Sequence, residues 1–173
     1  MRKIIEYLRL IFFVGGVLVG VQIPNFVDQY GKTLESHFLE SQKNLGEFQA
    51  DANKYFDGNL DKLIEHYGSI QDPIVNDGGK SITAIYKRNI TFADALARFT
   101  QSIYSPYIQA LITPITEIKK EVWKNYTYSI NLTTAAILWG LVSGLFLSAL
   151  IEFTMFLLFH THKAFNKQSQ STL

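Results

Sequence analysis

The sequence of residues 132–159 is LTTAAILWGLVSGLFLSALIEFTMFLLF, in which Glu152 is the only charged residue. A helix rises about 1.5 Å per residue, so this run is longer than the hydrocarbon core of a bilayer, about 30 Å thick. A buried helix of a soluble protein rarely stays apolar on all sides over such a length. The stretch therefore predicts a transmembrane helix over residues 132–160, with Thr133 or Thr134 as its N-cap.

A second apolar run, Ile4–Ile23, lies near the start of the chain and carries only Glu6 and Arg9 as charges. Its alternative interpretation is a cleaved signal peptide, because Arg2 and Lys3 precede an apolar core. No small-residue cleavage site follows, since residues 21–24 are Val-Gln-Ile-Pro. We therefore favour a retained transmembrane helix over residues 1–24, with a short cytoplasmic N-terminus.

The distribution of positive charge predicts the orientation of the chain. The basic residues at the two outer ends are Arg2, Lys3, Arg9, Lys163 and Lys167. Lys119, Lys120 and Lys124 argue the other way, but long loops are translocated largely regardless of charge. We expect a multi-pass protein of the bacterial inner membrane, with both termini in the cytoplasm and residues 25–131 in the periplasm.

Small residues recur every four positions in both apolar runs, which places them on one face of each helix. They are Gly16 and Gly20 in the first run and Ala136, Gly140, Gly144 and Ser148 in the second. We expect these faces to pack the two helices antiparallel within one chain, with Gly16 and Gly140 at equal depth below Pro24 and Leu132. A homodimer or a partner protein could use the same faces instead.

Glu152 needs an explanation, because a carboxylate at membrane depth is costly. By residue count it falls near the cytoplasmic interface, where the long side chain of Arg9 reaches a similar depth. We expect an Arg9–Glu152 ion pair. The alternative is a proton or ion relay.

Aromatic residues flank the predicted outer boundary of the membrane. Tyr30 follows the first run, and Trp123, Tyr126 and Tyr128 precede the second. Tyrosine and tryptophan favour the membrane–water interface, so these residues predict an aromatic belt.

The central residues 25–131 predict an all-helical bundle or hairpin. Apolar residues recur at helical spacing from Val27 to Tyr55, Asn25 is a predicted N-cap after Pro24, and Gly58 is a predicted helix end. Further predicted helix starts are Asn59, Asp72-Pro73, Ser81, Ser105-Pro106 and Thr113-Pro114, with a turn at residues 76–79. Residues 161–173 form a predicted cytoplasmic tail, disordered because it is polar.

The sequence contains no recognisable catalytic or metal-binding motif. There is no cysteine, and the net charge of +1 gives no reason to expect nucleic acid as a partner. Gly79-Lys80-Ser81 lacks the first glycine of a phosphate-binding loop, and residues 57–68 lack the glycine and final carboxylate of a calcium loop. His37 and His66 are isolated, while His160 and His162 point to opposite sides of a helix. We therefore expect no enzyme, and no catalytic, cofactor or metal site.

Several stretches resemble a known family. They are GVQIPNFVDQY (residues 20–30), NLGEFQ (44–49), YFDG (55–58), YTYSINL (126–132) and AILWG (136–140). The chain is similar along most of its length to a proteobacterial family of small inner-membrane proteins, the domain of unknown function 2937. The resemblance implies a helical periplasmic domain and no activity.

These expectations define a functional hypothesis. We expect a non-enzymatic structural or interaction component, a scaffold or assembly protein, that acts through its periplasmic helical domain. Its partners would be the lipid bilayer and either another envelope membrane protein or a second copy of itself. The alternative is an accessory subunit of a transport or ion-coupled membrane complex.

Overall fold

The computed structural model describes residues 2–129 and 133–169, with residues 2, 4 and 158–169 described by their backbone alone. All regular structure in these ranges is helical, and no strand occurs in them. The helices are α1 (Arg2–Gly20), α2 (Gln22–Tyr55), α3 (Leu60–Ser69), α4 (Pro73–Phe99), α5 (Ser105–Tyr107), a π-helix (Ile108–Ile112), α6 (Thr116–Asn125) and α7 (Thr134–Ser169). The predicted all-α class is confirmed.

The contacts divide the chain into two compact units. The apolar unit comprises Met1–Phe26 and Thr127–Leu173, and the central unit comprises Val27–Tyr126.

Two helical regions are long and apolar enough to cross a membrane, within Ile5–Tyr55 and over Thr134–Leu157. Each has an 18-residue window with a mean hydropathy of 2.0, and only 33% and 17% of these windows are buried. Thr133 resolves the choice of N-cap for α7, because its Oγ1 accepts the N–H of Ala136 at 3.2 Å. The helix continues to Ser169, so residues 161–169 have a helical backbone where the sequence predicts a disordered tail. Residues 132 and 170–173 lie outside the described ranges.

Pro24 does not end the first helical region, contrary to expectation. The chain is helical from Arg2 to Gly20 and again from Gln22, so Pro24 lies in the first turn of α2. Proline is tolerated there because the N–H groups of a first turn have no partner within the helix. The predicted N-cap role of Asn25 is therefore wrong, since Asn25 lies inside α2.

Most predicted helix ends in the central unit are confirmed. Gly58 has φ +80, and its N–H donates to the Ala52 carbonyl at 3.0 Å, which closes the end of α2. Asn59 accepts the N–H of Lys62 at the start of α3, and Asp72 accepts the N–H of Ile74 at the start of α4. Thr113 is an exception, because α6 begins at Thr116 without a side-chain cap.

The predicted turn at residues 76–79 is wrong, because these residues lie inside α4. Gly79 is buried where α3 meets α4, and a Cβ there would lie 3.0 Å from Tyr67 Cβ. The glycine pair therefore allows a close helix crossing. Ser81 consequently lies within α4 and does not begin a helix.

The core of the central unit lies between α2, α4 and α6. Its largest fully buried side chains are Tyr30, Phe92, Leu34, Ile82 and Ile118. The Tyr30 ring stacks on Phe99 with centroids 6.1 Å apart, and its hydroxyl accepts the N–H of Ile115 at 2.9 Å. Tyr30 is thus a core residue, and its predicted place in an interfacial aromatic belt is wrong.

Candidate functional site

The small residues of α1 and α7 face each other within the apolar unit. A Cβ added to Gly16 would lie 2.8 Å from Gly144 Cα and 2.8 Å from the Ser143 carbonyl oxygen. A Cβ on Gly20 would lie 2.9 Å from Gly140 Cα. These distances are shorter than real Cβ contacts, so the two backbones approach as closely as glycine alone permits.

The other face of this contact comes from larger side chains of α1. A Cβ on Gly140 would meet Val21 at 2.8 Å, and a Cβ on Gly144 would meet Val17 at 2.7 Å. Ala136 is buried, and Ser148 is half-buried. The structure therefore brings α1 onto the small-residue face of α7 within one chain.

The register of this contact differs from the predicted one. Gly16 opposes Gly144 and Gly20 opposes Gly140, so the predicted pairing of Gly16 with Gly140 is one helical turn out. That pairing assumed that Pro24 and Leu132 lie at the same depth, at the outer boundary of the membrane.

Ser143 adds a polar contact that the sequence interpretation missed. Its hydroxyl lies 2.8 Å from the Gly16 carbonyl oxygen across the contact, and 2.6 Å from the Trp139 carbonyl oxygen within α7. In an apolar environment a hydroxyl needs such acceptors. The available signal was a serine directly before Gly144 in an otherwise apolar run.

Arg9 and Glu152 lie together at another level of the same helix pair. Their Nη1 and Oε2 atoms are 3.9 Å apart, and the side chains are 51% and 67% exposed. An open cavity between α1 and α7 is lined by both residues and by Glu6, Phe13 and Ser148. This arrangement places three ionisable side chains together between two apolar helices.

Asn25 ties the start of α2 to the chain segment that precedes α7. It is only 6% exposed, and its Nδ2 donates to the carbonyl oxygens of Ser129 at 2.9 Å and Thr127 at 3.2 Å. The amide thus uses both of its N–H groups on two backbone acceptors. The sequence analysis identified Asn25 but predicted that it caps a helix.

A network of charged residues joins three helices of the central unit. His37 of α2 lies 2.7 Å from Glu121 of α6, and Arg88 of α4 lies 2.7 Å from Glu117 of α6. Arg88 Nη2 also lies 3.4 Å from His37 Nδ1, so His37 contacts both other helices of the network. His37 packs on the Phe92 ring as well. The isolated histidine of the sequence therefore serves helix packing.

An open groove runs between α2 and α4 in the central unit. Its apolar lining includes Phe38, Leu96 and Phe99, and its polar lining includes Asp28, Lys32 and Glu35. Ala93 and Ala97, one turn apart on α4, keep the groove wide. Apolar contacts flanked by both signs of charge suit a protein surface better than a small charged substrate.

Metal-ligand geometry is not found in the described part of the chain, where no three histidine or acidic side chains converge on one point. His66 packs against the Phe56 ring with centroids 5.4 Å apart. The side chains of His160 and His162 lie outside the described residues.

These features define an all-helical protein with two helices long and apolar enough to cross a membrane. The family model described as protein of unknown function DUF2937 matches residues 4–163, and the chain belongs to this family. The resemblance seen in the sequence is thereby confirmed. No curated protein and no solved structure matches the chain.

Proposed function

We propose that the chain is a non-enzymatic component of the bacterial inner membrane, anchored by α1 and α7, whose central unit binds another envelope membrane protein or a second copy of itself in the periplasm. The observation that carries the anchoring is the low burial of the two apolar windows, 33% and 17%. A soluble protein would bury most of such a helix, whereas lipid solvates it without cost.

The close contact between α1 and α7 supports an interaction role for the central unit. Because Gly16, Gly20, Gly140 and Gly144 are already used within the chain, their faces are closed to a partner. The groove between α2 and α4 is open, and it offers apolar area together with Asp28, Lys32 and Glu35 on its lining. We assign partner binding to this groove.

The test uses two alanines of the same helix. Ala97 lines the groove and Ala84 does not, although both are exposed on α4. The full-length tagged chain is purified in mild detergent, and bound proteins are quantified by mass spectrometry and by light scattering. We expect a stoichiometric partner or homo-oligomer that Ala97→Glu reduces about tenfold, the effect of losing a central apolar contact, and that Ala84→Glu leaves intact.

Two results would contradict the proposal. If the chain stays monomeric and binds no stoichiometric partner, the proposed interaction function is wrong. Equal effects of the two substitutions would show that the groove is not the binding surface.

The alternative function, an accessory subunit of an ion-coupled complex, is favoured by one observation. Glu6, Arg9 and Glu152 line one open cavity between two apolar helices. Glu152→Gln preserves the size of the side chain and removes its charge. It would abolish a transport-linked phenotype if the carboxylate relays protons, and would leave partner capture unchanged if the protein is a scaffold.

A further inference from the structure

The imidazole of His37 lies between a negative and a positive side chain that belong to two different helices. Its Nε2 atom is 2.7 Å from Glu121 Oε2 of α6, and its Nδ1 atom is 3.4 Å from Arg88 Nη2 of α4. The His37 side chain is only 16% exposed, so water has little access to these contacts. A partly buried histidine in such a position must change its hydrogen bonds when it gains or loses a proton.

Only the neutral imidazole can form hydrogen bonds with both neighbours. A guanidinium has N–H donors and no acceptor, whereas an ionised carboxylate has acceptors only. The neutral ring of His37 can donate from Nε2 to Glu121 and accept at Nδ1 from Arg88. A protonated ring has two donors, and its Nδ1–H would face the N–H groups and the positive charge of Arg88.

Other charged side chains surround this contact. Glu40 lies on α2, one turn beyond His37, and its Oε2 atom is 3.9 Å from His37 Nδ1. Glu117 of α6 lies 2.7 Å from Arg88, so Arg88 keeps a partner when it leaves His37. Phe92 of α4 packs on the imidazole ring and carries no charge. A small movement would therefore give a protonated Nδ1 the Glu40 carboxylate in place of the guanidinium.

We propose that His37 is a pH-dependent switch between α2 and α4 of the central unit. In its neutral form the ring connects α2 to Arg88. Protonation replaces this contact by charged pairs of His37 with Glu121 and Glu40, while Arg88 keeps its carboxylate partner on α6. All of these residues belong to the central unit, so the switch depends on neither the proposed membrane anchoring nor the proposed partner.

The switch acts at one end of the groove between α2 and α4. Phe38 is the last residue of α2 that lines the groove, and it directly follows His37. About one turn beyond His37, Asn89 of α4 donates to Ser41 Oγ of α2 at 3.1 Å. This contact does not titrate, so it keeps the two helices joined when the contact at His37 is lost. We therefore expect a displacement of α4 against α2 of about 1–2 Å, the size of an ordinary helix shift.

The test measures the distance between α2 and α4 at two pH values. Ser36 of α2 and Thr91 of α4 are exposed and uncharged, and the chain has no cysteine. A Ser36→Cys/Thr91→Cys variant of the full chain in mild detergent can therefore carry one spin label on each helix. Double electron–electron resonance is recorded at about pH 8 and at about pH 5.5, a range in which histidine changes its charge while carboxylates stay ionised. We expect the distance distribution to shift or broaden by about 1–2 Å at the lower pH.

Three substitutions in the labelled chain assign the response to its cause. His37→Gln retains a side chain that forms hydrogen bonds but removes the group that binds the proton, so the distance should not change with pH. Arg88→Gln removes the opposing charge, and its amide can donate to a neutral ring or accept from a protonated one, so the response should again be lost. His66 is exposed on α3, away from this network, and His66→Gln should retain the full response.

The outcomes decide the proposal in each case. An equal distance distribution at both pH values in the labelled chain would overturn it. A response that persists in His37→Gln would show that another titratable group causes it, which also overturns the proposal. If His37→Gln does not fold, Arg88→Gln decides: a full response in that variant contradicts the switch, whereas its loss together with an unchanged His66→Gln supports it.

Discussion

At the scale of single residues, a few buried polar groups connect segments that are far apart in the sequence. Asn25 holds the carbonyls of Thr127 and Ser129, and Tyr30 receives the N–H of Ile115. These contacts join residues 102, 104 and 85 positions apart in the sequence. Such pairs cannot be read from local spacing, which explains why Asn25 was expected to cap a helix and Tyr30 to lie at an interface.

Asn25→Asp tests the first contact. A carboxylate cannot donate, so the two carbonyl oxygens would lose their donor and face a negative charge. We expect the free energy of unfolding of the full chain in detergent to fall by about 2–3 kcal/mol, the cost of leaving buried polar groups unpaired. The exposed Asn44 of α2 provides the control, and Asn44→Asp should change stability by less than about 0.5 kcal/mol. Similar losses in both variants would contradict this role of Asn25.

At the scale of helices, the sequence predicted most of what local chemistry decides. The glycine at residue 58 and the caps at Asn59 and Asp72 are correct, because each depends on atoms within a few residues. The glycines at 78 and 79 led to a wrong prediction of a turn, because glycine is used both in turns and where helices cross closely. Only the position of Tyr67 on a different helix distinguishes the two.

The contact of α1 with α7 can be tested with two neighbouring glycines. A Cβ on Gly16 would meet the backbone of α7 at 2.8 Å, whereas a Cβ on Gly15 has nothing within 4 Å. We expect Gly16→Ala to weaken the helix pair by about 1–3 kcal/mol, the usual cost of overpacking, in a denaturing-detergent titration of the full chain. Gly15→Ala should not weaken the helix pair, and an equal loss in the two variants would argue against the glycine contact.

Helix α2 contains a second matched pair of glycines. Gly46 is exposed with nothing within 4 Å of an added Cβ, whereas a Cβ on Gly31 would lie 2.6 Å from the Phe99 ring. Gly46→Ala should stabilise the chain by up to about 1 kcal/mol through helix propensity. Gly31→Ala should destabilise it, because the Phe99 ring would have to leave its stack on Tyr30. Urea unfolding of the full chain measures both changes in the free energy of unfolding. A stabilising Gly31→Ala would show that the contact with Phe99 is loose.

At the scale of the whole molecule, the sequence predicted the all-α fold class and two helices long and apolar enough to cross a membrane. It also named the small residues that meet between α1 and α7, but it missed Ser143 and was one turn out in the register. It could not predict the groove between α2 and α4 or the network around His37, because these surfaces form only when separate helices pack together. Composition alone determines the apolar helices, whereas sites in the central unit depend on packing.

The orientation of the whole chain is the last prediction. If the basic outer ends are cytoplasmic, residue 74 of the central unit faces the periplasm and residue 3 faces the cytoplasm. Because the chain has no cysteine, Ile74→Cys and Lys3→Cys variants can each be probed with a membrane-impermeant maleimide. We expect Ile74→Cys to react in intact spheroplasts and Lys3→Cys only in inverted vesicles. The reverse pattern would mean that the chain has the opposite orientation, with the groove in the cytosol. If both variants react from the same side, α1 does not span the membrane.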